Sequence, residues 1–102
     1  QLQQRINKQP LSPLYLADKT TLINIMEMVS GLFLSKNIVY QNGKPAYLVD
    51  LAKAFEWLFN IKIGDCYQKH EDVIKRKPGK LTGFLNGLVE LIKKEHDKKG
   101  YR

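Results

Sequence analysis

The chain has 102 residues, 43% of them hydrophobic and 26% charged, with a net charge of +7. That length suits one domain, and that apolar share excludes a disordered chain. A single cysteine, Cys66, excludes an intramolecular disulfide, and there is no run of about 18 apolar residues to span a membrane as a helix.

The opening "QLQQRINKQPLSP" carries no initial Met and no signal peptide, so the chain reads as a fragment of something longer. A reducing cytoplasm is the simplest setting for the lone thiol. The charge is uneven. Residues 1–60 carry six cations and four anions, whereas residues 61–102 carry eleven and six. Such asymmetry favours a polyanionic partner for the second half, nucleic acid first, although a merely soluble, lysine-rich surface has the same composition.

In chain order, residues 1–13 are polar and contain two prolines. They are expected to be a linker or the end of a preceding helix, with the domain proper at 14–102. Asp18 is a good N-cap, and Leu22, Ile25, Met26, Val29 and Phe33 recur at helical spacing behind it. The spacing predicts a first helix at about 19–35, its methionines filling gaps in a core. "NIVYQNGKPAYL" follows. Asn42-Gly43 favours a type I′ turn, and Pro45 limits the return strand to an edge, so a short β-ribbon is expected at about 38–47.

A second helix is expected at about 47–58, with Leu48, Leu51, Ala52, Phe55 and Leu58 inward and Asp50, Lys53 and Glu56 outward. Residues 59–64 then turn the chain. Asp65 can cap a third helix running to about Lys77, ended by Pro78-Gly79. Thr82 can cap a fourth, with Phe84, Leu85, Leu88, Leu91 and Ile92 as its inner stripe. The fold expected is mainly α: four helices and a short ribbon, like a winged helix-turn-helix.

Two helices joined by a short turn, the second basic at its end, outline a helix-turn-helix. With Cys66, Tyr67, His70, Val73 and Ile74 inward, the outer stripe becomes Gln68, Lys69, Asp72, Lys75 and Arg76. Gln can read adenine and Lys can donate to guanine in the major groove. Lys75, Arg76, Lys77 and Lys80 suit phosphates, and Lys62 in the turn joins the candidate set. Glu71 and Asp72 oppose a nucleic acid. Lys19 and Thr20 stand where a first-helix start would offer free N–H groups to an anion.

Catalysis finds little support. His70 and His96 have no Cys or carboxylate partner at zinc-like spacing and read as a core-edge imidazole and a solvated residue. Cys66 has no evident base partner and reads as a buried thiol. No Gly-rich phosphate loop is present. No enzyme, no cofactor and no metal site is expected.

"LADKTTLINIMEMV", "LAKAFEWLFNIKIGDCYQKHEDVIKRK" and "LTGFLNGLVELI" together resemble the C-terminal part of the RteC family, regulatory proteins of Bacteroides mobile elements. The resemblance spans about residues 14–97. It rests on Asp18-Lys19-Thr20 with Leu22, Leu51-Ala52, Phe55-Glu56, Phe59-Asn60, Gly64-Asp65 with Tyr67, Arg76-Lys77, and Thr82 with Phe84-Leu85. Gly83 and Asn86 stand where the family usually has Lys and Asp, which removes one candidate phosphate contact. The resemblance implies a winged-helix-like domain binding double-stranded DNA, preceded by a helical domain in the full protein. It also implies activation of excision genes of a conjugative transposon. The rival expectation is a helical protein-interaction module that docks a partner regulator or another domain of its parent chain through an apolar patch around Trp57.

Overall fold

The computed structural model describes residues 11–101. Of the expected lead-in at 1–13, residues 1–10 therefore lie outside the described residues. Ser12 is buried, and the side-chain amide of Asn60 donates to its carbonyl at 2.8 Å and to that of Leu14 at 3.0 Å. The segment before the first helix is thus fastened to the end of the second.

Helix α1 (Leu22–Ser35) starts three residues later than the spacing predicts. The Thr20 N–H donates to the Ala17 carbonyl at 2.9 Å, closing a separate turn, and Thr21 rather than Asp18 caps the helix by accepting the Asn24 N–H at 3.3 Å. The helix is central: α2 (Leu48–Phe59), α3 (Cys66–Ile74) and α5 (Gly83–Lys99) all pack against it, and α2 packs against α3. Ile25, Met26 and Val29 meet Leu48, Leu51, Ala52, Ile63, Cys66 and Val73 in one core. Burying each such aliphatic side chain stabilises the fold by roughly 1.5–3 kcal/mol.

The expected ribbon is reduced to one isolated antiparallel bridge, Val39 to Pro45, and no strand occurs among the described residues. The wing anticipated there is therefore not formed as paired strands. The turn also differs from type I′. Gly43 donates to the Tyr40 carbonyl at 2.8 Å, Tyr40 donates to the Lys44 carbonyl at 2.9 Å, and only Gly43 of the Asn-Gly pair has positive φ (86°). This is the pattern of a three-residue loop, in which glycine takes the left-handed position after the turn. Pro45 has no N–H to extend the ladder, so pairing stops almost where it starts.

Between α2 and α3, Asn60 ends α2 in the left-handed region (φ 54°), a conformation asparagine tolerates better than most residues. Glu56, expected to face solvent, turns its carboxylate back and accepts the Ile63 N–H at 2.6 Å. Asp65 caps α3 as anticipated, accepting from Tyr67 and Gln68 at 3.1 Å each.

Helix α3 ends at Ile74, short of the expected Lys77. Pro78 does not act as a terminator. It opens a one-turn helix, α4 (Pro78–Leu81), making five helices among the described residues where four were expected. Proline suits that first position because its missing N–H would have had no helical partner. Thr82 makes no side-chain cap to α5. The cap comes from another helix: Glu27 on α1 accepts the Leu85 N–H at 2.8 Å.

Candidate nucleic-acid interface

The α2–turn–α3 pair is held against α1 by two buried polar links. The ring Nδ1 of His70 lies 2.7 Å from the Ser30 hydroxyl, with its ring edge-on to Phe33 at 5.7 Å. Three residues along α1 toward its start, Glu27 meets Arg76 at 3.0 Å; the Glu27 side chain is 1% exposed and that of Arg76 is 24% exposed. Residue numbers fall along α1 as they rise along α3, so the two helices run in opposite senses and the end of α3 lies toward the start of α1. One Glu27 oxygen neutralises Arg76 while the other caps α5. A single carboxylate thus ties α1, the segment after α3, and α5.

This geometry sorts the candidate residues. Gln68 is exposed, but its side-chain amide donates to Asp72 at 3.0 Å. Lys75 is exposed and lies 3.6 Å from Asp72. Asp72 therefore holds both neighbours of the outer stripe to itself. Lys69 is half-buried. Tyr67 and Ile74, expected inward, are 60% and 44% exposed. Helix α3 itself contains one lysine against two carboxylates, Glu71 and Asp72, in its charge count. The cations that follow are not on the helix. Lys77 and Lys80 are exposed around α4, whereas Arg76 points inward to Glu27.

Lys62 is exposed in the turn between α2 and α3. Lys19 is exposed and Thr20 half-buried, both in the turn before α1 rather than in its first helical turn. The antiparallel sense of α1 and α3 nevertheless sets Lys19 and Thr20 toward the same end of α1 as the end of α3, which Lys75 follows.

Burial pushes the Cys66 thiol up from its ordinary pKa, and the neighbouring Asp65 carboxylate adds to the shift. A helix start alone would have lowered it. Among the described residues no group of three or more His, Cys, Asp or Glu is placed to hold a metal ion, and no helix is long and apolar enough to cross a membrane.

Sequence pattern does not single out Glu27 or Ser30. A signal exists all the same: Glu27 is the only charged residue in "LINIMEMVSGLFLS", and a lone carboxylate in so apolar a helix needs a partner once buried.

The family model described as RteC protein matches residues 3–99, nearly the whole chain. The chain belongs to the RteC family. No curated protein and no solved structure matches it. The residues that carry the RteC resemblance have structural roles. Thr20 closes the turn before α1, Glu56, Asn60 and Gly64 shape the turn between α2 and α3, Asp65 caps α3, and Arg76 anchors Glu27.

Proposed function

We propose that this RteC domain is the DNA-binding unit of a transcription regulator. The observation that carries the reading is the α2–turn–α3 pair packed on α1, with the outer face of α3 continuing into the exposed cations Lys75, Lys77 and Lys80. A helix fits the major groove, and cations at its end suit the flanking phosphates. Gln68 and Lys69 are the base readers, and Lys19 and Lys62 add backbone contacts. The target is double-stranded DNA in the cytoplasm. The family resemblance points to excision genes of a mobile element as the regulated set.

Fluorescence anisotropy with duplex DNA at two salt concentrations tests this. Binding is expected at ~50 mM salt, weakening as salt rises. Replacing Lys75, Lys77 and Lys80 with alanine should lower affinity for all sequences and flatten the salt dependence, by about 0.9 in slope for each phosphate that is no longer neutralised. Gln68→Ala or Lys69→Ala should instead relax base preference. Lys19→Ala should cost roughly 1 kcal/mol of affinity without changing preference. No binding at low salt, or binding indifferent to salt, would overturn the reading.

A second reading has its own observation. Val89, Leu91 and Ile92 on the outer half of α5 are 46%, 64% and 72% exposed, and Trp57 is 49% exposed. A protein-interaction module would use these surfaces and leave Lys75 to Lys80 dispensable. The triple lysine variant separates the two readings.

A further inference from the structure

A cleft lies away from α3. It has a volume of about 590 Å³ and opens between the end of α1 and the 38–47 hairpin, among Phe33, Lys36, Tyr40, Asn42, Lys44 and Tyr47. That volume is in the range of small-ligand sites, and its lining has their usual character: aromatic walls with a few polar groups. Two lysines line it and no carboxylate does. The Tyr40 and Tyr47 rings meet edge-on at 5.9 Å. The Lys36 ammonium sits 5.9 Å from the centre of the Phe33 ring.

The walls are fixed. The Tyr40 hydroxyl donates to Asp50 and accepts the Tyr47 N–H at 3.0 Å. The side-chain carbonyl of Asn42 accepts the Lys44 N–H at 3.0 Å, pinning the tip. The hydrogen bond to Asp50 raises the Tyr40 pKa, so the hydroxyl stays protonated and adds no charge to the cleft. Asp50 itself is engaged by that hydroxyl.

Lys36 ends α1 in the left-handed region (φ 59°), where glycine is the usual residue. A lysine there is conformationally unfavourable, and its side chain lines the cleft.

We propose that this cleft binds a nucleotide, its base stacked on the exposed Tyr47 ring and flanked by Tyr40 and Phe33, and its phosphate between Lys36 and Lys44. Flat heterocycles stack on aromatic rings with little regard to base identity, and lysine ammonium groups bind phosphate as point charges. The same chemistry is offered by a free nucleotide and by an unpaired nucleotide in a strand. Nothing in this site draws on α3, so it stands or falls independently of duplex binding.

The test is an amide-resolved NMR titration of the 102-residue chain with adenosine 5′-monophosphate. Saturable shifts are expected at residues 33–47, and adenosine alone or inorganic phosphate alone should give weaker ones. Lys36→Gly removes the amine while placing the favoured residue in the left-handed position. It should leave thermal stability equal or higher and weaken binding roughly tenfold. Lys44→Gln should act similarly. A strand of ten thymidylates distinguishes the sources: tighter binding through the same amides assigns the site to a strand, and weaker binding assigns it to a free nucleotide. Absence of saturable shifts up to about 5 mM would overturn the proposal, that being weaker than a specific contact set gives. So would unchanged binding in Lys36→Gly, or phosphate alone matching the nucleotide. Loss of duplex binding in Lys36→Gly would also overturn it, by making the cleft part of the duplex face.

Discussion

Helices α1 and α5 carry apolar residues at the same spacing, yet they end in opposite environments. In α1, Ile25, Met26 and Val29 are at most 3% exposed, and even Glu27 and Ser30 are buried at 2% each. In α5 no residue is buried, and every residue from Val89 to the end of the helix is exposed. Three helices surround α1, whereas α5 meets α1 near its start, where Leu85 reaches Glu27 and Gly31, and its outer half lies in solvent. Periodicity shows which face of a helix would be buried. It does not show whether anything arrives to bury it.

The sharpest way to break this contrast is to empty the centre of α1. Met26→Ala should destabilise the domain by about 3 kcal/mol, measured by urea unfolding, because Met26 is fully buried and truncation removes its apolar contacts and opens a cavity. A loss below about 1 kcal/mol would mean that α1 is not the packed centre. Glu27→Ala should cost about 3 kcal/mol, since it leaves Arg76 without its partner and the Leu85 N–H without its acceptor. Glu27→Gln keeps an acceptor for Leu85 and should cost less. If both variants cost the same, the cap contributes nothing and the charge pair carries the whole effect.

Smaller effects test the edges of the core. Asp65→Ala should cost about 1 kcal/mol, the ordinary value of a lost N-cap, with a matching drop in helicity. Paired Leu91→Lys and Ile92→Lys in α5 should change stability by less than about 0.5 kcal/mol each, because both side chains already face water. A large loss there would show that the outer half of α5 is covered in solution.

Much of the core is legible in the sequence. Ile25, Met26, Val29 and Phe33 of α1 and Leu48, Leu51, Ala52 and Phe55 of α2 point inward as their spacing predicts, as do Cys66 and Val73 of α3, whereas Leu22 at the start of α1 is 37% exposed. Asp65 is legible as a cap because its carboxylate acts within its own helix turn. The candidate interface is harder to read. Lys75, Arg76 and Lys77 look alike in sequence, yet Arg76 turns inward because Glu27, 49 residues away in sequence, waits there as a buried acceptor. The ribbon fails for a local reason that is half visible: Pro45 marks a limit to pairing, and a single bridge, Val39 to Pro45, is all that forms.

By itself the sequence determined what acts within a few residues. Helical periods, the Asp65 cap, the left-handed glycine at 43 and the uneven charge depend on near neighbours, and near neighbours are written in order along the chain. Only the tertiary structure decided which polar groups are buried together. Glu27 with Arg76 and Leu85, Ser30 with His70, and Asn60 with the residues before α1 join positions 40 to 58 apart. Such partners must be brought close by packing before their charges and hydrogen bonds have any effect, so local pattern does not name the partner even where, as at Glu27, it shows that one is needed.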